Sequence, residues 1–183
     1  MGEVTGERAF IPVRIAVLTV SDSREAGEDR SGDRLVERIA AAGHELAARE
    51  ILRDERGHIA AQLSEWCEAG DIDVIISTGG TGLTGRDVTI EAHRDIYEKE
   101  IEAFATVFAV VSMNKIATSA VQSRATGGVA RGTYLFALPG SPSACADAWD
   151  EILAPQLDAR HRPCNFVEIM PRLAEGGARA GKM

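Results

Sequence analysis

Ser77-Thr78-Gly79-Gly80-Thr81-Gly82-Leu83-Thr84-Gly85-Arg86-Asp87 lies between Ile72-Asp73-Val74-Ile75-Ile76 and Thr89-Ile90-Glu91-Ala92-His93-Arg94-Asp95-Ile96. The first flank is short, apolar and β-branched, as a buried strand requires. The second reads as the start of a helix. A buried strand that empties into a glycine-rich loop and then a helix is how α/β proteins build anion sites. Glycines let the backbone approach a ligand, and successive N–H groups can point at phosphate oxygens. Asp87 adds a carboxylate to the loop, which suggests a phosphate accompanied by a divalent cation.

Working outward, Arg14 to Val20 is nearly all apolar and is expected to be a central parallel strand ending at Ser21-Asp22. A charged loop over 25–31 leads to a helix over Asp33 to Ala42. Leu46 to Leu52 is a second strand, ending at Arg53-Asp54-Glu55, and His58 to Ala69 a second helix. Asp73 to Ser77 is the third strand. Ile90 to Val111 reads as one long helical region broken near Phe104, and Met113 to Val121 as another helix. Gly127 to Leu138 forms a hairpin turning at Arg131-Gly132. Ser141 is placed to cap the next helix, with Pro142 at its first position. Strands alternating with helices predict a mostly parallel sheet covered on both faces, an α/β class fold. Residues 10–170 are expected to form a single domain, with 1–9 and 171–183 as flexible ends.

The bulk numbers are those of a globular chain. Of 183 residues, 45% are hydrophobic and 26% charged, enough to bury a core without a disulfide or structural metal. The net charge of −8 argues against nucleic acid as a partner, because that binding needs basic patches. Three cysteines without metal-ligand spacing point to the reducing cytosol, and Cys67 and Cys145 are expected in the core. No apolar run approaches the roughly 20 residues of a membrane span, and the N-terminus lacks a signal peptide's basic and apolar regions. The four histidines share no metal spacing and are expected to face solvent.

Ligands in such folds sit beyond the carboxyl ends of the strands, so Ser21-Asp22, Asp54, the Gly79–Asp87 loop and the turn after Leu138 can converge. Magnesium takes hard oxygen ligands, usually one or two carboxylates plus substrate phosphates, and Asp54 and Asp87 could supply them. Arg124 admits two readings, a phosphate contact or a bond to backbone. There is no Walker Gly-Lys-Ser/Thr, no Gly-x-Ser-x-Gly elbow, and the glycine spacing differs from the dinucleotide fingerprint.

Thr78-Gly79-Gly80-Thr81-Gly82 followed by Arg86-Asp87-Val88-Thr89 and Glu91-Ala92 resembles the molybdopterin-binding family of MogA, MoaB, gephyrin and the plant Cnx proteins. Thr19-Val20-Ser21-Asp22, Ser123-Arg124 and Leu138-Pro139-Gly140-Ser141 fit the same family. Ala154-Pro155-Gln156-Leu157-Asp158-Ala159-Arg160 followed by Arg162-Pro163-Cys164-Asn165-Phe166 resembles its MoaB branch. The resemblance implies a three-layer α/β/α sandwich, homo-oligomers (trimers or hexamers) and cytoplasmic molybdenum cofactor biosynthesis. It further implies adenylylation of molybdopterin with Mg-ATP as co-substrate, releasing pyrophosphate. Asp54 and Asp87 then match the two key aspartates that hold Mg2+. Ser21, Asp22, Thr78, Gly79, Gly80, Thr81, Gly82, Arg86, Ser123, Arg124, Pro139, Gly140 and Ser141 match substrate-binding positions. The sequence departs from the pattern at Arg53 and Ile90, where the family often has proline. Three rival readings remain: a non-catalytic molybdopterin carrier, a nucleotide-sugar pyrophosphatase like the CinA proteins, and an assembly module.

Overall fold

The computed structural model of the chain describes residues 8–22 and 28–175. Much of both expected flexible ends, and part of the expected loop over 25–31, lies outside those residues. Arg8 pairs with Glu168, and Leu173 packs against the core, so the described parts of the ends are tied to the body.

Six strands form one sheet in the order β2-β1-β3-β6-β5-β4. They are β1 (Arg14–Val20), β2 (Glu45–Leu52), β3 (Val74–Thr78), β4 (Lys99–Glu100), β5 (Thr126–Ala130) and β6 (Thr133–Leu138). β2, β1, β3 and β6 run parallel; β5 is antiparallel to β6, and β4 to β5. The edges are protected by chemistry. β4 has only two residues, both charged, and β2 carries Glu45, Arg49 and Glu50.

The central strands alternate between two buried faces. Ile15, Val17, Val74, Ile76, Tyr134 and Phe136 meet helices α1 (Arg30–Ala41), α4 (Glu102–Ile116) and α5 (Pro142–Ala148). Ala16, Leu18, Val20, Ile75 and Leu135 meet α2 (Arg56–Ala69) and α3 (Thr89–Ile96). Side chains point to opposite faces with period two, so an all-apolar strand must be covered on both sides. That requirement produces the three layers.

Several elements differ from expectation. α1 starts at Arg30, because buried Asp29 caps it by accepting from the Gly32 N–H while bonding Thr19 and Arg49. The break in the long helical region falls at 97–101, not near Phe104. There the chain extends to pair Lys99 and Glu100 with β5, and Phe104 lies inside α4. His44 and His93 are buried, not solvent-facing. His44 accepts from the Val13 N–H, and His93 bonds Ser77 and Tyr97. Cys67 and Cys145 are fully buried, as expected. Glu102–Gln122 is helical over 21 residues with mean hydropathy 1.4, long and apolar enough by length and composition to cross a membrane. The sequence reading overlooked this stretch. Its α-helix is interrupted at Ala117, and Phe104, Phe108 and Ser112 pack on the sheet.

Candidate functional site

The strand order places a switch point between β1 and β3. The chain leaves β1 toward β2 on one side, and β3 lies on the other. Crevices open beyond the carboxyl ends of strands at such points. A cleft of about 370 Å3 lies there. β5 is antiparallel to β6, so the segment entering β5 also emerges at this end, bringing Ser123 and Arg124 to the cleft.

Most of the residues expected from the sequence line it. Ser21 and Asp22 come from the end of β1, and Asp54 from just beyond β2. Gly79, Gly80, Thr81, Gly82 and Asp87 come from the loop after β3, Ser123 and Arg124 from before β5, and Pro139 and Gly140 from beyond β6. Three do not line it. Thr78 is buried beneath the cleft, where its hydroxyl donates to the Pro139 carbonyl at 2.9 Å. Ser141 caps α5, accepting from the Ala144 N–H at 3.2 Å. Arg86 stands outside, with its fork on Asp22 at 2.7 to 3.0 Å. Val20 and Gln122 line the cleft without having been expected. Gln122 ends the 3-10 turn Ala117–Gln122 and carries no motif, so only the fold could locate it.

The glycine loop owes its path to two left-handed residues, Gly79 at φ 94° and Gly80 at φ 62°. A Cβ at Gly79 would lie 2.2 Å from the Val20 carbonyl oxygen. At Gly80 it would lie 2.4 Å from both Asp54 Oδ1 and Thr89 Oγ1. Two positions further along the lining, a Cβ at Gly82 would meet Asp87 Oδ2 at 2.8 Å. The two aspartates therefore press against the same short loop from residues two apart. Thr89 fastens the following helix back to the loop, its N–H donating to the Gly80 carbonyl and its hydroxyl to that of Gly79.

Arg124 bonds the backbone of the loop, the second of its two readings. Its Nε donates to the carbonyls of Thr81 and Gly82, both at 3.0 Å, Nη2 to that of Asp87 at 3.4 Å, and Nη1 to Glu91 at 2.6 Å. A planar guanidinium with donors in fixed directions suits such a clamp. It ties the loop's carbonyls to one side chain.

The three acids differ in electrostatic state. The Arg86 guanidinium holds Asp22 below the usual carboxylate range. Asp87 is held down by the Thr84 hydroxyl at 2.7 Å and by backbone N–H groups. Asp54 is pushed up, first by burial and then by the negative charge of Asp22 and Asp87. Arg86 is committed to Asp22 and Arg124 to Glu91, while neither Asp54 nor Asp87 has a salt-bridge partner among the described residues. A pair of oxygen donors without a direct cationic partner fits a hard divalent cation. Among the described residues no three acidic, histidine or cysteine side chains group closely enough to hold a metal. Magnesium bound by one or two carboxylates with phosphate and water needs no such group.

The chain matches the family described as "Probable molybdopterin binding domain" over residues 16–159. It is 48% identical over 166 residues to molybdenum cofactor biosynthesis protein B of Escherichia coli (strain K12), covering 91% of this chain and 96% of that protein. Identity to the protein of the same name from Bacillus subtilis (strain 168) is 38% over 146 residues, covering 79% and 86%. A crystal structure of a molybdenum cofactor biosynthesis protein B superposes with a TM-score of 0.82 at 35% identity, covering 91% of this chain and 98% of that one.

Proposed function

The chain belongs to the molybdopterin-binding domain family of molybdenum cofactor biosynthesis proteins, and from that premise we propose that it adenylylates molybdopterin with Mg-ATP. A terminal phosphate oxygen of molybdopterin attacks the α-phosphorus of ATP. The bond from that phosphorus to the bridging β-oxygen breaks, and pyrophosphate leaves with the electron pair. Such chemistry needs positioning and charge neutralisation more than a protein nucleophile.

The observation that carries this reading is the unpaired carboxylate couple, Asp54 and Asp87, against the glycine loop. Mg2+, when bound, would neutralise phosphate charge, and Asp54 and Asp87 would hold it. The backbone of Gly79, Gly80 and Thr81 approaches the phosphates. Ser21, Ser123, Pro139 and Gly140 offer the surrounding walls to substrate. Thr78 and Ser141 act from behind, fixing the Pro139 turn and the start of α5. Arg86 is an exposed cation beside the cleft. Its pair with Asp22 contributes little at such exposure, so an arriving phosphate can take its place. The same reading puts the protein in the cytoplasm as a homo-oligomer, trimer or hexamer.

The test is anaerobic pyrophosphate release from Mg-ATP plus molybdopterin, for the wild type and Asp87→Asn. Release that requires both molybdopterin and magnesium, and falls at least about a hundredfold in the variant, is expected. Pterin binding equal in both proteins, with no release from either, would sink catalysis and leave a molybdopterin carrier. Hydrolysis of ADP-ribose without molybdopterin would instead favour a pyrophosphatase.

A further inference from the structure

Asp54 and Asp87 press on the same loop but are held in different ways. The Asp54 carboxylate accepts from one backbone N–H, that of Asp22. Asp87 is gripped by its own loop. The Thr84 hydroxyl donates to Oδ2 at 2.7 Å, and the Thr84 N–H donates to the same oxygen at 2.9 Å. The Gly82 N–H also donates to this carboxylate. The bonding runs both ways, since the Asp87 N–H donates to the Thr84 carbonyl at 3.1 Å. An ionised carboxylate only accepts, so the Thr84 hydroxyl proton must point at Oδ2. Thr84 Oγ1 can then accept, and it does so from the Arg86 N–H at 3.3 Å. Among the described residues no other side chain donates to the Asp87 carboxylate.

Thr84 is exposed, belongs to neither core cluster and does not line the cleft. It therefore touches neither the interior nor a ligand seated in the cleft, and its hydroxyl acts through Asp87. Two donors from one residue on one oxygen fix the rotation of the carboxylate and leave Oδ1 outside the Thr84 grip. That matters for magnesium in particular. Mg2+ demands near-ideal octahedral geometry, so a ligand whose direction is already set is worth more to it than one that must be ordered on binding. Carboxylates that hold metals are themselves hydrogen-bonded, and removing such a partner typically costs about 10–100-fold in metal affinity. Asp54, with one N–H, can adjust to the phosphates that arrive. Asp87, with three donors, is the preset member of the pair.

We propose that Thr84 is a positioning residue of the cation site, its hydroxyl and N–H holding Asp87 Oδ2 so that a divalent cation meets a carboxylate already oriented. The inference rests on the Mg2+ reading in the proposed function. The test uses Mn2+, which shares the oxygen preference and octahedral habit of Mg2+ and reports its free concentration by electron paramagnetic resonance. It is titrated into the full chain as wild type, Thr84→Val, Thr84→Ala, Thr84→Ser and Asp87→Asn. The wild type should bind an ion that Asp87→Asn loses. Valine and alanine keep the N–H and remove the hydroxyl, and each should weaken Mn2+ binding by about 10–100-fold. Serine keeps the hydroxyl and should restore the wild-type value. Molybdopterin affinity and the far-UV spectrum should be unchanged in all three Thr84 variants, because Thr84 stands off the cleft and out of the core. Valine and alanine variants that bind Mn2+ as the wild type does would overturn the role of Thr84 and leave the cation site standing. Failure of serine to rescue would overturn it as well, since the loss would then come from the shape of the loop and not from the hydroxyl. A wild type that binds no Mn2+, or binds it no better than Asp87→Asn, would overturn the cation reading itself and the role of Thr84 with it.

Discussion

His93 offers a test of the site's foundations that needs no ligand. It lies fully buried on α3, with Nε2 2.8 Å from the Ser77 hydroxyl and Nδ1 3.3 Å from the Tyr97 hydroxyl. Ser77 is in β3, two residues before Gly79. Burial pushes the imidazole down from 6.5 to about 3. The folded protein therefore keeps His93 neutral where the unfolded chain protonates it. With a lowered folded value, the stabilisation is complete above 6.5 and declines as pH falls toward 3. Between pH 7.5 and pH 5 linkage gives a loss of about 2 kcal/mol from this residue. The assay is urea unfolding at both pH values for the wild type and His93→Gln. The variant should be less stable at pH 7.5, because it disturbs two buried hydrogen bonds. Its loss between the two pH values should nevertheless be smaller than the wild type's by about 2 kcal/mol. His44, also lowered by burial, titrates in both proteins and cancels in the comparison. Equal losses in the two proteins would refute a buried neutral His93 and with it the account of how α3 is held beneath the loop.

Gly80→Ala should lower stability by about 1–3 kcal/mol and abolish pterin binding, since the new methyl would displace the Asp54 carboxylate from a left-handed position; a variant that binds pterin as the wild type does would show that Asp54 has room to move. Arg124→Ala should speed hydrogen exchange at loop amides 82–88, and Arg124→Lys should not restore protection, because an ammonium cannot reach the same set of carbonyls and Glu91 together. Unchanged exchange in both variants would remove the clamp. Asp54→Asn should raise the urea midpoint at pH 7. The raised value of Asp54 means its stabilising protonated form is present below the unfolded value near 3.8 and lost as pH rises through the folded one. Millimolar Mg2+ should then stabilise the wild type more than this variant; equal shifts would argue against Asp54 as a ligand.

The elements most legible in the sequence were those governed by local rules. A nearly all-apolar run rich in β-branched residues, such as Ile15–Val20 or Val74–Ile76, reads as a strand covered on both faces. The turn at Arg131-Gly132 and the Ser141-Pro142 start of α5 follow from backbone preferences of single residues. The same holds for the glycine loop, whose chemistry and flanks locate the cleft before any coordinates. What remained hidden depends on distant partners. Asp29 looks like a loop residue until Thr19 and Arg49 meet it. Arg124 reads equally as a phosphate ligand until the loop's carbonyls surround it. The helical break at 97–101 has no proline or glycine to mark it, because pairing with β5 imposes it from outside. His93 resembles any polar helical residue until α3 turns it inward against Ser77. Local sequence specifies strands, turns and caps because those depend on neighbours a few residues away. Burial and charge compensation depend on which distant segments arrive, and only the folded chain decides that.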